Sequence, residues 1–281
     1  MGPSPVKFLK GPIPMNRVKL FSPDFAPGRV LVTAKAIVDI LVLGVQKPSK
    51  ETFQLARMIL KVKPRYTMVK NKNLINLYHL VREADRLNLP GDIVECGVWN
   101  GGSAAFMAVA NAEGPNPRLR TLWLFDSFEG LPRPDERDGE EERKAYFAEW
   151  NKGDMEKVKQ VFKKMGLGLE KVKIVPGWFE QTLTATPVGP IALLHIDADW
   201  YSSVKTALEA FYDKVVPGGF VILDDYGYWK GCTQALRDFL SEHESSQVRI
   251  EAMGREGGYF QKPVADPMKR SGNPMKGMGH R

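Results

Sequence analysis

Two acidic runs each close an apolar one: HIDADWYSS (195–203) follows PIALL, and DDY (224–226) follows GGFVIL, with 27 residues from Asp197 to Asp224. Asp197, Asp224 and Asp225, offered from two strand ends, make an oxygen-only set suited to a hard divalent cation such as Mg²⁺. A carboxylate set without His or Cys ligands disfavours zinc. Adjacent like charges are costly unless a cation neutralises them. The competing role is capping, since Asp199 and Asp225 could each cap the segment that follows. A cation held there would bind a hydroxyl or two adjacent oxygens and lower the hydroxyl pKa. Asp197 is then placed to accept the proton. His195 lies two residues earlier on the same side of its strand, where a packed, hydrogen-bonded core histidine is the ordinary outcome.

Other candidate residues sit at further strand ends. VECGVWNGGSAAFMA places Glu95, Gly97, Gly101 and Gly102 between a strand and a helix. Glycine there allows close backbone approach and positive φ, whether for a ligand or only for the turn. The spacing is not G-x-G-x-x-G, which weakens a pyrophosphate reading. An acidic residue at that strand end suits an ammonium group and repels phosphate. Asp126, ending LWLFD, can accept from ribose hydroxyls or cap its own turn. Together Glu95 and Asp126 favour a nucleoside bearing an amino acid, which describes S-adenosylmethionine. PGWFEQT adds Gly177, Trp178 and Phe179, which could enclose an adenine or belong to the core.

The elements that must carry these residues alternate. After Gly91 come DIVECGV, a helix from about Ser103, TLWLFD, a polar stretch, the helix DMEKVKQVFKKM and KVKIV. IALLHID, the helix SVKTALEAFYDKV, GFVILDD and the helix CTQALRDFLSEH complete the series. That alternation predicts a parallel sheet with helices on both faces. QVRIEAM and GGYFQK read as a terminal hairpin that adds an antiparallel strand. Before the sheet, Leu74, Leu77, Tyr78, Val81 and Ala84 recur at helical spacing, giving a helix over Asn73 to Leu87. In such a sheet ligands collect outside the carboxyl ends of the strands, where strand order reverses.

With 281 residues, 43% of them hydrophobic, the chain suits one large α/β unit with extensions. The formal charge of +7 is spread out, and its basic residues form no stripe interleaved with aromatics, so no nucleic-acid partner is expected. Cys96 and Cys232 have neither metal-type nor redox-type spacing, which predicts reduced thiols and a cytoplasmic protein. AIVDILVLGV (36–45) is too short for a bilayer and too far from the start for a secretory signal, so no membrane association is expected. Proline-rich residues 1–35 read as an arm, and the end of the chain as a disordered basic tail.

RYTMVKNKNLINLYHLV, GDIVECGVWNGGS, LFDSFEGLP, VPGWFEQTL and LLHIDADWYSSVKTALEAFYDKVVPGGFVILDDYGYWKGCTQAL together resemble the macrocin O-methyltransferase family, metal-dependent enzymes that methylate sugar hydroxyls of antibiotics. The resemblance runs from about Arg65 to Phe239 and includes the same interval between the acidic pairs. It implies a Rossmann-like class I methyltransferase fold: a seven-stranded, mostly parallel sheet with an antiparallel terminal strand and helices on both faces. An arm and helical extension over 1–64 would precede the catalytic domain at 65–262, with a tail at 263–281. Carried over, Thr67 and Met68 would close over S-adenosylmethionine. Glu95, Gly97, Trp99 and Ser103 would lie near its methionine portion. Asp126 would meet the ribose, Ser127 and Phe128 would also bind the cofactor, and Gly177, Trp178 and Phe179 would lie near the adenine. Asp197, Asp224 and Asp225 would hold Mg²⁺, with Asp197 as base, and a homo-oligomer is implied.

Asn100 stands where the family commonly has arginine, and the acidic lid PDERDGEEERKAYFAEW lacks a histidine that some relatives carry there. The expected activity is methylation of a small-molecule hydroxyl, on a sugar or another polar metabolite of natural-product or glycan biosynthesis. A catechol or phenol acceptor is the near alternative, and a non-catalytic binding or scaffold role the distant one.

Overall fold

The computed structural model describes residues 49–113, 120–243 and 248–264. The proline-rich arm, the apolar stretch at 36–45 and nearly all of the tail lie outside these residues. Helix α1 (Lys50–Val62) begins where the Ser49 hydroxyl accepts the Thr52 N–H at 3.0 Å, satisfying an otherwise orphaned donor. It buries Leu55, Met58, Ile59 and Val62 at a spacing of three and four residues. Helix α2 (Asn71–Arg86) follows and is the helix expected over Asn73 to Leu87.

The alternating body then runs β1 (Asp92–Cys96), α3 (Gly102–Ala112), β2 (Leu122–Asp126), a 3₁₀ turn at Glu136–Asp138 and α4 (Glu140–Ala145). It continues through α5 (Met155–Met165), β3 (Val172–Pro176), α6 (Phe179–Thr182), β4 (Ile191–Ile196) and α7 (Tyr201–Phe211). After β5 (Val215–Leu223) and α8 (Lys230–Glu242), the short β6 (Glu251–Ala252) and β7 (Gly258–Gln261) form the hairpin. The short α4 and α6 escaped the sequence reading, because neither is long enough to carry a helical period. QVRIEAM contributes only two residues as strand.

The sheet order is β3-β2-β1-β4-β5-β7-β6. Strands β1 to β5 pair in parallel, β7 runs antiparallel to β5, and β6 antiparallel to β7. From β1 the chain winds outward through β2 and β3, then returns to β4 on the other side, so order reverses between β1 and β4. Successive side chains point to opposite faces. Ile93, Leu193 and Ile222 therefore join α1, α2, α3 and α5 in one core. Val94, Leu194 and Val221 join α7 and α8 in the other. Each such apolar side chain contributes about 1.5–3 kcal/mol by leaving water. At the amino ends of the strands, the buried Arg120 guanidinium donates to Asp85 and to the Gly91 carbonyl, tying α2 to the start of β1. Among the described residues no helix is long and apolar enough to cross a membrane.

Candidate active site

The carboxyl ends of the five parallel strands finish side by side. Backbone N–H groups step across them: Gly177 to the Asp126 carbonyl at 2.9 Å, Gly97 to Phe125 at 2.9 Å, Asp197 to Cys96 at 2.8 Å, and Asp224 to Ile196 at 3.0 Å. Past these ends the backbone turns through the left-handed region at Trp99 (φ +48°), Phe128 (φ +54°) and Asp199 (φ +53°). Such conformations cost about 1–3 kcal/mol each and cluster where a site demands them. Gly97, at φ +91°, is compelled to be glycine: a Cβ would stand 1.8 Å from the Asp197 carbonyl oxygen.

A cleft of about 670 Å³, counted with its open mouth, lies over the reversal point, where ligands collect in such sheets. Of the residues expected to hold a cofactor, Met68, Gly97, Trp99, Asp126, Ser127, Trp178 and Phe179 line it, as does Asp197. Thr67, Glu95, Ser103, Phe128 and Gly177 do not line it. Thr67 is buried, and its hydroxyl accepts the Val69 N–H at 3.1 Å. Ser103 is buried in the first turn of α3. Glu95, expected near an ammonium group, is wholly buried, with Oε1 at 2.9 Å from Nδ1 of the equally buried His195. The two residues are register partners on β1 and β4, which makes His195 the hydrogen-bonded core histidine of the ordinary outcome.

Asp126 joins two turns. Its Oδ2 accepts the Val98 and Trp99 N–H groups, both at 2.8 Å, and its Oδ1 accepts that of Phe128 at 2.7 Å. Burial raises its pKa, and the three N–H bonds oppose the rise. A carboxylate has about four acceptor positions, so one remains, on Oδ1, for a ligand hydroxyl.

Where Asp197 meets the cleft, one carboxylate oxygen from each of Asp197, Asp224 and Asp225 lies within 4.8 Å of the others, and of the three Asp197 alone lines the cleft. Burial, then Asp224 and Asp225, pushes Asp197 well above the usual carboxylate range. Burial, then Asp199 and Asp224, does the same to Asp225. Asp225 accepts the Asp199 backbone N–H, while its buried Oδ2 has no partner in the protein. An unpaired buried oxygen among mutually repelling carboxylates fits a hard divalent cation. Asp199, read in the sequence only as a possible cap, also lines the cleft. Its Oδ1 accepts the Trp229 indole N–H at 2.6 Å, and burial nevertheless raises its pKa to about 6.

The acidic lid is rooted on α7. Asp138 Oδ1 accepts the Tyr201 N–H at 2.6 Å, the Ser202 hydroxyl donates to Asp135 at 2.7 Å, and the Trp200 indole donates to the Pro132 carbonyl at 3.0 Å. Leu131 and Pro132 thereby wall the cleft. Asn100, in place of the family's arginine, is buried and ties two segments, donating to the Arg65 carbonyl and accepting the Asp154 N–H, both at 3.1 Å.

Strand order, terminal antiparallel strand and a ligand cleft at the reversal point define a class I, Rossmann-like methyltransferase. The macrocin-O-methyltransferase (TylF) family matches residues 42–262, and the chain belongs to it as an O-methyltransferase. It is 39% identical over 193 residues to 8-demethyl-8-(2,3-dimethoxy-alpha-L-rhamnosyl)-tetracenomycin-C 4'-O-methyltransferase of Streptomyces olivaceus, covering 67% of this chain and 73% of that one. To mycinamicin III 3''-O-methyltransferase of Micromonospora griseorubida it is 33% identical over 202 residues, covering 70% and 78%. Among solved structures, the O-methyltransferase NovP superposes with a TM-score of 0.64 at 29% identity, over 83% of this chain and 100% of that one.

Proposed function

We propose that this chain transfers a methyl group from S-adenosylmethionine to a sugar hydroxyl of a glycosylated natural product, assisted by a divalent cation, Mg²⁺ above all. The observation that carries the reading is the convergence of three carboxylates, one of which, Asp197, lines a cleft whose wall also presents Asp126, Trp178 and Phe179. The names of the two curated relatives, which specify sugar or ring positions on antibiotics, support a sugar acceptor over a catechol.

Asp197, Asp224 and Asp225 would hold the cation. Its chemistry there would be to lower the pKa of the acceptor hydroxyl and fix that oxygen in place. In the transfer, an oxygen lone pair forms the new O–C bond as the C–S bond breaks, and the released electron pair stays on sulfur in S-adenosylhomocysteine. The hydroxyl proton passes to the Asp197 carboxylate, with Asp199 as a second carboxylate on the same wall. Met68, Trp99 and the Trp178–Phe179 pair hold donor and acceptor in line and keep water away from them.

The test is Asp224→Asn in purified protein supplied with S-adenosylmethionine and glycosylated acceptors. Turnover is expected to fall about a hundred- to a thousandfold while S-adenosylmethionine still binds in calorimetry, the scale on which loss of one preorganised electrostatic contact lowers rate. Undiminished wild-type turnover after exhaustive chelation would sink the role of the cation.

A further inference from the structure

We infer that Asn73 is a positioning residue for the cation site, holding the Asp224 carboxylate in one orientation; the inference rests on the cation-assisted reading above. Asn73 occupies the first turn of α2 and is 1% exposed. Its Nδ2 donates to Asp224 Oδ1 at 2.8 Å across 151 residues of sequence. An amide oxygen turned toward a carboxylate would be repelled, so the nitrogen must face it. Asp224 is itself buried, at 8% exposure. Its orientation therefore depends on the protein rather than on solvent.

The approach is built in from a third element. The Asn73 amide also reaches the Glu256 carbonyl, at 3.5 Å. A Cβ on Gly257, at φ +82°, would lie 2.8 Å from Asn73 Nδ2 and 2.9 Å from the Asp224 carbonyl oxygen. Only glycine lets the turn between β6 and β7 close over this pair. Asn73 thus joins α2, the end of β5 and the terminal hairpin at one ligand oxygen. Outer contacts of this kind orient ligating groups, and their loss commonly weakens metal binding by 10- to 100-fold.

Asn76 supplies the control. One turn along α2, its Nδ2 donates to the Met253 carbonyl at 2.9 Å, pinning the same hairpin through a bond that does not involve Asp224. The experiment titrates Mn²⁺ into the full chain by electron paramagnetic resonance, for wild type, Asn73→Leu, Asn73→Ser and Asn76→Ala, with S-adenosylmethionine affinity and Tm measured in parallel. Asn73→Leu is expected to raise the Mn²⁺ Kd at least about tenfold. Asn73→Ser, which keeps a donor and serves if the leucine variant does not fold, should raise it less than the full loss but more than twofold. Asn76→Ala should lower Tm without moving the Mn²⁺ Kd, and cofactor affinity should stay within about twofold throughout. An unchanged Mn²⁺ Kd in both Asn73 variants, or an equal loss in Asn76→Ala, overturns the inference. Absence of Mn²⁺ binding in wild type instead removes the cation-assisted reading itself, and the inference with it.

Discussion

Asp126 holds the fold together at the cleft and is the proposed ribose acceptor as well. Three backbone N–H groups from two turns converge on it, so Asp126→Ala removes an acceptor from each of them as well as the proposed contact for the ribose. Leaving buried donors unpaired costs about 1–3 kcal/mol apiece. The expected outcome is a fall in Tm together with at least about a tenfold loss of S-adenosylmethionine affinity, read by thermal denaturation and calorimetry. Asp126→Asn keeps one acceptor oxygen and should recover part of both. A variant stable and tight-binding as wild type would remove Asp126 from the site. The sequence showed the acid at the strand end, but not that three of its four acceptor positions were already taken.

Among the elements, β1 and β4 set the geometry, because the order reversal lies between them, the cleft opens at their ends, and β4 with β5 carries the acidic cluster. Their closeness depends on Gly97. Its φ of +91° disfavours any side chain, and a Cβ would overlap the Asp197 backbone. Gly97→Ala is expected to push the strand ends apart, lowering Tm by about 10 °C or leaving the protein insoluble. If soluble, it should lose Mn²⁺ affinity along with cofactor affinity, unlike the Asn73 variants. Equal Tm for the two proteins would show that the turn can relax. The strands were legible because buried parallel strands read as apolar runs, IALLHI and GGFVIL among them. The lid's attachment was not: Asp138 to Tyr201 is a bond between segments distant in sequence, and polar residues in a loop carry no period.

For the whole molecule, the acidic cluster predicts how stability varies with pH. Asp199 has a folded pKa of about 6 against an ordinary value of 3.8, and burial with the neighbouring carboxylates also raises Asp197 and Asp225. A carboxyl raised on folding contributes stability that is full below its unfolded pKa and is lost as pH rises through its folded one. In cation-free protein this contribution therefore disappears from about pH 4 upward, through about 6 for Asp199. A bound cation offsets that loss by favouring the ionised forms. The rise in Tm caused by Mg²⁺ over EDTA should be small near pH 5 and grow to about 5–10 °C near pH 8, given roughly 2.7 kcal/mol at a hundredfold excess over Kd. A Mg²⁺ effect that is flat or shrinks with pH would mean that these carboxylates do not hold the ion.

By itself the sequence determined the alternating α/β architecture, the strand ends beside which the cleft opens, and the pairing of Asp197 with Asp224 and Asp225. These properties are local: hydrophobic period, turn residues and residue type at a strand's end are written within a few consecutive positions. Tertiary structure alone decided that Glu95 turns into the core to meet His195, that Trp229 holds Asp199, and that Asn73 reaches Asp224. Each joins side chains 30 to 151 residues apart. Such contacts depend on strand register and on the packing of helices across a sheet face, which no single segment encodes.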